Sequence, residues 1–409
     1  MKIAVIGLGK LGIPIACALA GKCEVIGVDR NPRVLEVLAD GGDVTSEPGV
    51  NVVTTSRIKQ LMMDAAAAVA ITDFSLVIVP TPSDRNGRFS NEHVLAACKE
   101  IGKGLITNQH HTVVIVSTVM PGSMDGPIRL ALEHASGQLA GDGFGLVYSP
   151  QFVALGSVIE DFTNPDLILI GKYGNSKAEG VIAMYDRILR CLPQIAVTTP
   201  INAELAKLSL NCAVASKIHF ANQLARVVEL IPGADVDVIT DIVGTDRRIG
   251  KAYLRAGIMY GGPCFPRDVV ALATLPGAVW FNRLAQHNEG SFLRLLSTVR
   301  GLRGVVGILG AGYKVGSNVT EHAVGTMLQA ALRSHGVEVH IDSRRTPEEV
   351  IALSDTVVVT LDDMEYRSIP REVWTSKPRV VVDCWRTLQH LDGCHDHLTY
   401  IPVGIGPRQ

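Results

Sequence analysis

Met1-Lys2-Ile3-Ala4-Val5-Ile6-Gly7-Leu8-Gly9-Lys10-Leu11-Gly12 opens the chain, and Glu24-Val25-Ile26-Gly27-Val28-Asp29 follows shortly after. The first six residues are an apolar strand, and a helix is expected from about Lys10 to Ala20. Gly7, Gly9 and Gly12 fit the G-x-G-x-x-G pattern between strand and helix, and Asp29 closes the next strand. Glycines at such a turn let the backbone approach a pyrophosphate, and the helix N-terminus offers free N–H groups and the positive end of a dipole. Lys10 and Leu11 complete the turn. A carboxylate at Asp29 can accept hydrogen bonds from ribose hydroxyls and repels a 2′-phosphate, which favours NAD. Arg30 and Arg33 lie close enough in sequence to soften that preference toward NADP.

Outward from this turn the strand–helix alternation continues. Residues 75–79 and 112–117 are β-branched runs of the kind buried in parallel sheets, and 146–148 and 167–170 continue the pattern. Together they predict a doubly wound α/β sheet. Residues 203–230 have helical apolar spacing without proline or glycine, which predicts one long helix, either a dimer seam or a core helix. A second α/β unit begins near Gly304, with strands at 305–309, 337–341, 356–360 and 379–382 and a helix over 324–334. Gly307, Gly310 and Gly312 punctuate its first strand. The expected architecture is two Rossmann-like doubly wound domains joined by a central helical domain: 1–195, 196–295 and 296–409. The active cleft is expected between the outer two.

Composition narrows the class. The 409 residues are 47% hydrophobic and 19% charged, so large cores are available. A net charge of -2 gives no general attraction to nucleic acid or anionic membrane. Eight scattered cysteines form neither a metal-ligand pattern nor a disulfide framework. No leader or membrane span is evident, so a reducing cytoplasm is the expected compartment, with no metal and no nucleic-acid partner.

The most informative stretch is Gly261-Gly262-Pro263-Cys264-Phe265-Pro266-Arg267-Asp268. A cysteine between a glycine pair and a proline sits where a loop can present it to a ligand, rather than in a core. With it, the chain resembles the UDP-glucose/GDP-mannose dehydrogenase family along its whole length. The resemblance is carried by residues 7–12, Val79-Pro80-Thr81-Pro82, Ser117-Thr118-Val119, Ser149-Pro150-Gln151-Phe152, Lys207-Leu208-Ser209-Leu210-Asn211, Arg248-Ile249-Gly250, the cysteine segment and Gly310-Ala311-Gly312-Tyr313-Lys314.

The resemblance implies a four-electron oxidation of the sugar C6 hydroxyl of a nucleotide sugar, UDP-glucose before UDP-N-acetylhexosamine or GDP-mannose. Cys264 would be the nucleophile, because an aldehyde yields a second hydride only after a thiolate has added to it. Lys207 and Asn211, at i and i+4 on one helix face, would stabilise the oxyanion, and the charge of Lys207 would lower the thiol pKa. Asp268 and Thr118 would hold water and handle the proton. Thr81, Pro82, Ser117, Thr118, Cys264 and Arg267 would border the cofactor. Gln151, Phe152, Val153, Lys207, Asn211, Tyr253, Arg255, Gly261, Phe265, Tyr313 and Lys314 would border the sugar nucleotide, with Arg248 reaching a neighbouring subunit of a homodimer.

The chain departs from the family at three places. Gln151 stands where the family has a glutamate associated with activating water, and glutamine cannot take a proton at neutral pH. It is either a substitution introduced to trap an intermediate, or the natural residue of a protein that releases aldehyde, uses another base or has lost activity. Leu155 replaces a second glutamate found in many members. Glu321 replaces an arginine, and a carboxylate there is expected to point away from a diphosphate. Two other readings stay open: a degenerate protein that binds NAD and sugar nucleotide without turnover, and a two-electron hydroxyacid dehydrogenase, which needs neither the cysteine loop nor a third unit.

Overall fold

The computed structural model describes residues 1–42, 44–302, 304–317, 319–393 and 397–407. Cys394 lies outside them. The chain forms two compact units, Met1–Ser209 and Leu210–Gln409. The long helix Pro200–Val228 begins in the first and ends in the second. Pro200 at its first position costs nothing, because that N–H has no intrahelical acceptor.

The first unit holds one eight-stranded sheet of β1 (Lys2–Ile6), β2 (Glu24–Val28), β3 (Gln60–Met62), β4 (Phe74–Val77), β5 (Thr112–Ile115), β6 (Gly145–Tyr148), β7 (Leu167–Lys172) and β8 (Gln194–Thr198). Its order is β3-β2-β1-β4-β5-β6-β7-β8. β1 to β6 are mutually parallel. They form the doubly wound arrangement in which the order reverses between β1 and β4, opening a crevice at their carboxyl ends. Side chains alternate between two cores. Ile3, Val5, Leu76 and Val114 face the helix Gly12–Ala20 through Ile13, Ile15 and Leu19, while Ala4, Ile6, Val77 and Ile115 face the helix Glu92–Leu105 through Val94, Cys98 and Ile101. Each fully buried aliphatic of this kind contributes about 1.5–3 kcal/mol.

One expectation is corrected here. Residues 167–170 do not continue the parallel run, because β7 pairs antiparallel to β6. The only helix between them, Val158–Thr163, has 6 residues and is about 9 Å long. It is too short to carry the chain back to the start of β6, so β7 departs from the end where β6 finishes. β8 then pairs parallel to β7.

The second unit starts with helices, Val236–Thr245, Phe265–Ala273 and Val279–Gly301. A five-stranded parallel sheet follows: β9 (Val306–Leu309), β10 (Val339–Ile341), β11 (Thr356–Val359), β12 (Arg379–Asp383) and β13 (Leu398–Pro402). Its order, β10-β9-β11-β12-β13, reverses beside β9. This is the flavodoxin-like version of the same topology, with its crevice between the ends of β9 and β11. Val306, Ile308 and Val358 face the helices Val279–Gly301 and Val324–Ser334. Val357, Val359 and Val381 face Val350, Ile351 and Trp374 on the other side. Among the described residues no helix is long and apolar enough to cross a membrane.

Candidate functional site

In the first unit the glycine turn follows β1. Gly7 has φ +98, and a Cβ there would stand 2.2 Å from the carbonyl oxygen of Ile78. A Cβ on Gly12 would stand 1.8 Å from the carbonyl oxygen of Gly7. Both glycines are therefore required by the protein's own backbone. Gly9 differs, since a Cβ there meets nothing within 4 Å. Open space over exposed backbone at a helix N-terminus is what a pyrophosphate needs. Lys10 is exposed and Leu11 half-buried at the helix start.

Asp29 follows β2 and is half-buried. Its Oδ2 accepts from the Leu8 N–H at 2.8 Å and its Oδ1 from the Asn31 N–H at 2.8 Å. The carboxylate is thus fixed at the turn, with lone pairs left for ribose hydroxyls. Arg30 is exposed and near His93, with Nη2 to Nδ1 at 3.4 Å. Arg33 is exposed in the first turn of the next helix, its N–H capped by Asn31. The loops after β4 and β5 are tied together. Thr81 Oγ1 donates to the Thr118 carbonyl at 2.8 Å, and Ser117 Oγ donates to the Val79 carbonyl at 2.7 Å while accepting from the Val79 N–H. Pro82 is exposed and Thr118 half-buried at this edge. These residues fit a dinucleotide.

The glycine geometry separates two effects. Gly9→Ala is expected to leave thermal stability within about 1 kcal/mol of the parent while weakening NAD binding about tenfold. Gly12→Ala should lower both, because its methyl meets backbone. Melting curves and NAD titrations check this, and equal losses of Tm in the two variants would contradict it.

Two neighbours were not anticipated from the sequence. Glu204, fully buried on the long helix, accepts from the Gly122 and Met124 N–H groups at 2.7 and 2.8 Å. It thereby anchors the loop that carries Ser117 and Thr118. Its position three residues before Lys207, on the same helix face, was a usable signal. Burial pushes its carboxyl up to about 7, against the lowering by those two N–H groups. The folded chain therefore keeps a proton that the unfolded chain, near 4.5, has lost. Stability should fall as pH rises from about 4.5 to 7 and this contribution should be flat beyond. Thermal melts across that range are expected to show the parent losing Tm relative to Glu204→Gln, and parallel curves would contradict the assignment.

The second unanticipated residue is Tyr185, buried beneath the segment after β6. The Gln151 side chain donates through Nε2 to the Tyr185 hydroxyl at 2.7 Å and to the Ser149 carbonyl at 2.8 Å, and Ser149 Oγ lies 2.9 Å from that hydroxyl. Burial pushes the Tyr185 phenol up, so it stays protonated. The surroundings of residue 151 thus suit an amide, with two acceptors facing its N–H groups. Lys207, 7% exposed, donates from Nζ to the Gln151 carbonyl at 2.7 Å, and its ammonium lies 4.6 Å from the Phe152 ring centroid. Val153 and Leu155 pack against the sheet core instead, which leaves Val153 its backbone for ligand contact.

In the second unit, among the described residues, Cys264 is the one exposed cysteine. Burial pushes Cys98 and Cys212 up to about 12, which keeps them thiols. Cys264 occupies the N-cap of the helix Phe265–Ala273, with Pro266 in the first turn. A helix N-terminus stabilises negative charge by about 0.3–1 kcal/mol. One turn along, Asp268 is 3% exposed and accepts from Asn211 Nδ2 at 2.5 Å. Asn211 is itself 8% exposed on the long helix, one turn after Lys207. Arg267, half-buried, immediately precedes Asp268 in the first turn of this helix.

The loop around Cys264 is shaped by its glycines. Gly262 has φ +79, and a Cβ there would stand 2.6 Å from the Tyr313 ring, while one on Gly261 would stand 2.5 Å from the His322 carbonyl. Lys314 Nζ lies 5.9 Å from the Tyr313 ring centroid. Tyr253 stands edge-on to Phe265, centroids 6.2 Å apart, and holds a left-handed φ of 61 while 57% exposed. An exposed aromatic in that conformation stores strain of a kind that collects at ligand sites. Arg255 pairs with Asp362 just past β11. Arg248 pairs with Asp246 and points into solvent, 83% exposed, and Glu321 is exposed.

The turn after β9 repeats the device after β1. Gly310 has φ +114, and a Cβ on Gly325, in the first turn of the following helix, would stand 2.1 Å from the Gly310 carbonyl oxygen. Asp342, just past β10, accepts from the Gly310 and Ala311 N–H groups at 2.8 and 3.1 Å and from the Tyr366 hydroxyl at 2.7 Å. It was not singled out in the sequence, although the strand–glycine–strand–aspartate order is the same as that ending at Asp29. The difference lies in the longer insertion between the glycines, which carries Tyr313 and Lys314.

The chain resembles known proteins in sequence and in fold. Residues 1–189 match the NAD-binding domain of the UDP-glucose/GDP-mannose dehydrogenase family, and residues 201–280 match its central domain. A GDP-mannose 6-dehydrogenase of Pseudomonas putida is 30% identical over 78% of this chain and 75% of its own. The UDP-glucose 6-dehydrogenase AglM of Haloferax volcanii is 28% identical over 96% and 98%. The structure of a UDP-glucose dehydrogenase from Pyrobaculum islandicum superimposes with a TM-score of 0.85 at 26% identity, covering 99% of this chain and 98% of that one.

Proposed function

The chain belongs to the UDP-glucose/GDP-mannose dehydrogenase family, whose members are NAD-dependent nucleotide-sugar dehydrogenases, and from that premise we propose that it oxidises C6 of UDP-glucose to the carboxylate through a thioester on Cys264. The observation that carries the reading is the exposed thiol at a helix N-terminus, with the buried Asn211–Asp268 pair one turn away. Relatives named for UDP-glucose and for GDP-mannose both align over nearly the whole chain; UDP-glucose is the substrate proposed here, with GDP-mannose and a UDP-N-acetylhexosamine as the alternatives the test includes.

NAD, when bound, accepts the hydride released in each of the two oxidations. The chain's residues do the rest. The alcohol loses its proton to water held by Asp268 and Thr118 as its C6 hydride departs, leaving an aldehyde. The Cys264 sulfur adds to that carbon and forms a thiohemiacetal, whose oxyanion receives N–H donation from Lys207 and Asn211. Loss of the second hydride collapses this oxyanion to a thioester. Water then adds, the C–S bond breaks, and the carboxylate leaves while the thiol regains its proton. Tyr253, Phe265, Tyr313 and Lys314 would border the sugar nucleotide, whose nucleotide would lie at the β9 turn.

Hydrolysis is the step that Gln151 limits, because an amide orients water without taking its proton. A second reading follows from the same residue: the chain binds both ligands and stops at the covalent stage. A homodimer is part of the proposal, supported by Phe220 and Val227, both about half exposed and seven residues apart on one helix face. The test is NADH formation with UDP-glucose, GDP-mannose and a UDP-N-acetylhexosamine. Two NADH per uronate formed from UDP-glucose are expected. One NADH per aldehyde released, or no reduction with any of the three, would overturn the four-electron reading.

A further inference from the structure

Glu47-Pro48-Gly49-Val50 forms a tight turn in the first unit. Pro48 stands at its second position and Gly49, with φ +84, at its third, and the Val50 N–H donates to the Glu47 carbonyl at 3.1 Å. That is the pattern of a type II turn, whose third residue needs a positive φ. Val44 and Val50 pack against the same core as Val153 and Leu155, so the turn is seated beside the segment that follows β6. A Cβ on Gly49 would stand 3.2 Å from Ile159 Cδ1.

The Glu47 side chain is buried where the turn meets that segment. Its Oε2 accepts from the Gly156 N–H at 2.8 Å and its Oε1 from the Val158 N–H at 2.6 Å, 109 and 111 residues along the chain. Asp161 holds the same segment from its other side, with Oδ2 accepting from the Ala154 N–H and from the Ser157 hydroxyl, both at 2.8 Å. Gly156 takes φ +95 between these two acids. At the start of the segment Lys207 donates to the Gln151 carbonyl at 2.7 Å. Residues 151–157 have no ladder or helix to fix them. Hydrogen bonds from backbone to ionised side chains, about twice as strong as neutral ones, therefore choose their path.

We infer that Glu47 is a positioning residue for the sugar nucleotide: through the backbone of residues 154–158 it sets where Phe152 and Val153 stand. The inference rests on the proposed oxidation, which puts those two residues against the substrate. Both Glu47 oxygens are committed to backbone N–H groups, which gives the residue a geometric part rather than a chemical one. A glutamine cannot take that part, because one of its two heads is an NH₂ that would face the N–H of Gly156 or Val158.

The test is calorimetric titration of the full chain with NAD alone, and with UDP-glucose, GDP-mannose and a UDP-N-acetylhexosamine in the presence of NADH, which accepts no hydride. Glu47→Gln is expected to weaken the sugar nucleotide that the parent binds about tenfold and to leave NAD affinity at the parent value. Asp161→Asn, a less buried change on the same segment, should weaken it about threefold. Glu133→Gln is the matched control. Glu133 accepts from the Ala140 N–H at 3.2 Å and pairs with Arg129 at 2.6 Å, so it holds the loop at the amino end of β6, opposite the end that leads to Gln151. It should lower Tm and leave sugar-nucleotide affinity unchanged. Unchanged affinity in folded Glu47→Gln and Asp161→Asn variants, or equal weakening of NAD and sugar nucleotide, would overturn the role and leave the oxidation standing. So would equal weakening by Glu133→Gln at the same loss of Tm, which would make Glu47 a stabilising residue only. A parent that binds none of the three sugar nucleotides would overturn the oxidation, and this inference with it.

Discussion

Cys264→Ala is expected to lower uronate formation from UDP-glucose by about 10³ or more, the scale on which covalent enzymes respond to loss of the nucleophile, while NAD affinity stays at the parent value. The asymmetry follows from placement. The glycine turn, Asp29 and the Ser117 loop belong to the first unit and are held by hydrogen bonds within it. Cys264 stands at the N-cap position of its helix and is exposed, so the substitution removes no buried packing. Cys264→Ser is the more discriminating variant. A serine oxygen can add to the aldehyde only weakly, and an ester is a poorer acyl donor than a thioester, so aldehyde should accumulate. Product analysis checks this, and unchanged uronate formation by either variant would remove the covalent step from the account.

Gln151→Glu is expected to act in the opposite direction. A general base contributes about 10² to 10⁴ in rate, so steady turnover should rise toward that range once thioester hydrolysis is no longer limiting. The lower end is favoured by the surroundings. The Ser149 carbonyl, 2.8 Å from the present amide nitrogen, would face a carboxylate oxygen and repel it. The Tyr185 hydroxyl, kept protonated by burial, would reverse its role and donate to the new carboxylate. The measurement is the ratio of first-turnover NADH to steady-state rate. An unchanged steady rate after a full first turnover would place the limiting step elsewhere.

The parts of the fold that could be read in the sequence were those with buried signals. β1, β4, β5 and β11 are fully or almost fully buried runs, and the long helix advertises itself by apolar spacing over 29 residues. The strands that escaped, β3, β8 and β13, all lie at sheet edges. β8 is largely exposed and reads as a loop. The reversed direction of β7 was illegible for another reason: periodicity says which face is buried, not which way a strand runs.

The site divides along the same line. Gly7, Gly12 and Asp29 were readable because local backbone geometry dictates them, and Cys264 because glycine and proline flank it. Tyr185 and Glu204 were not, since their roles depend on partners distant in the chain. Tyr253 was named as an aromatic over the substrate, but nothing in its neighbours announces its left-handed backbone.

The most direct test of the central claim is the mass of the intact protein, acid-quenched seconds after mixing with NAD and UDP-glucose. A gain equal to one oxidised sugar nucleotide, mapped to the peptide holding Cys264 and removed by hydroxylamine, is the predicted result. Complete oxidation with no adduct at any quench time, and with full rate in Cys264→Ala, would contradict it.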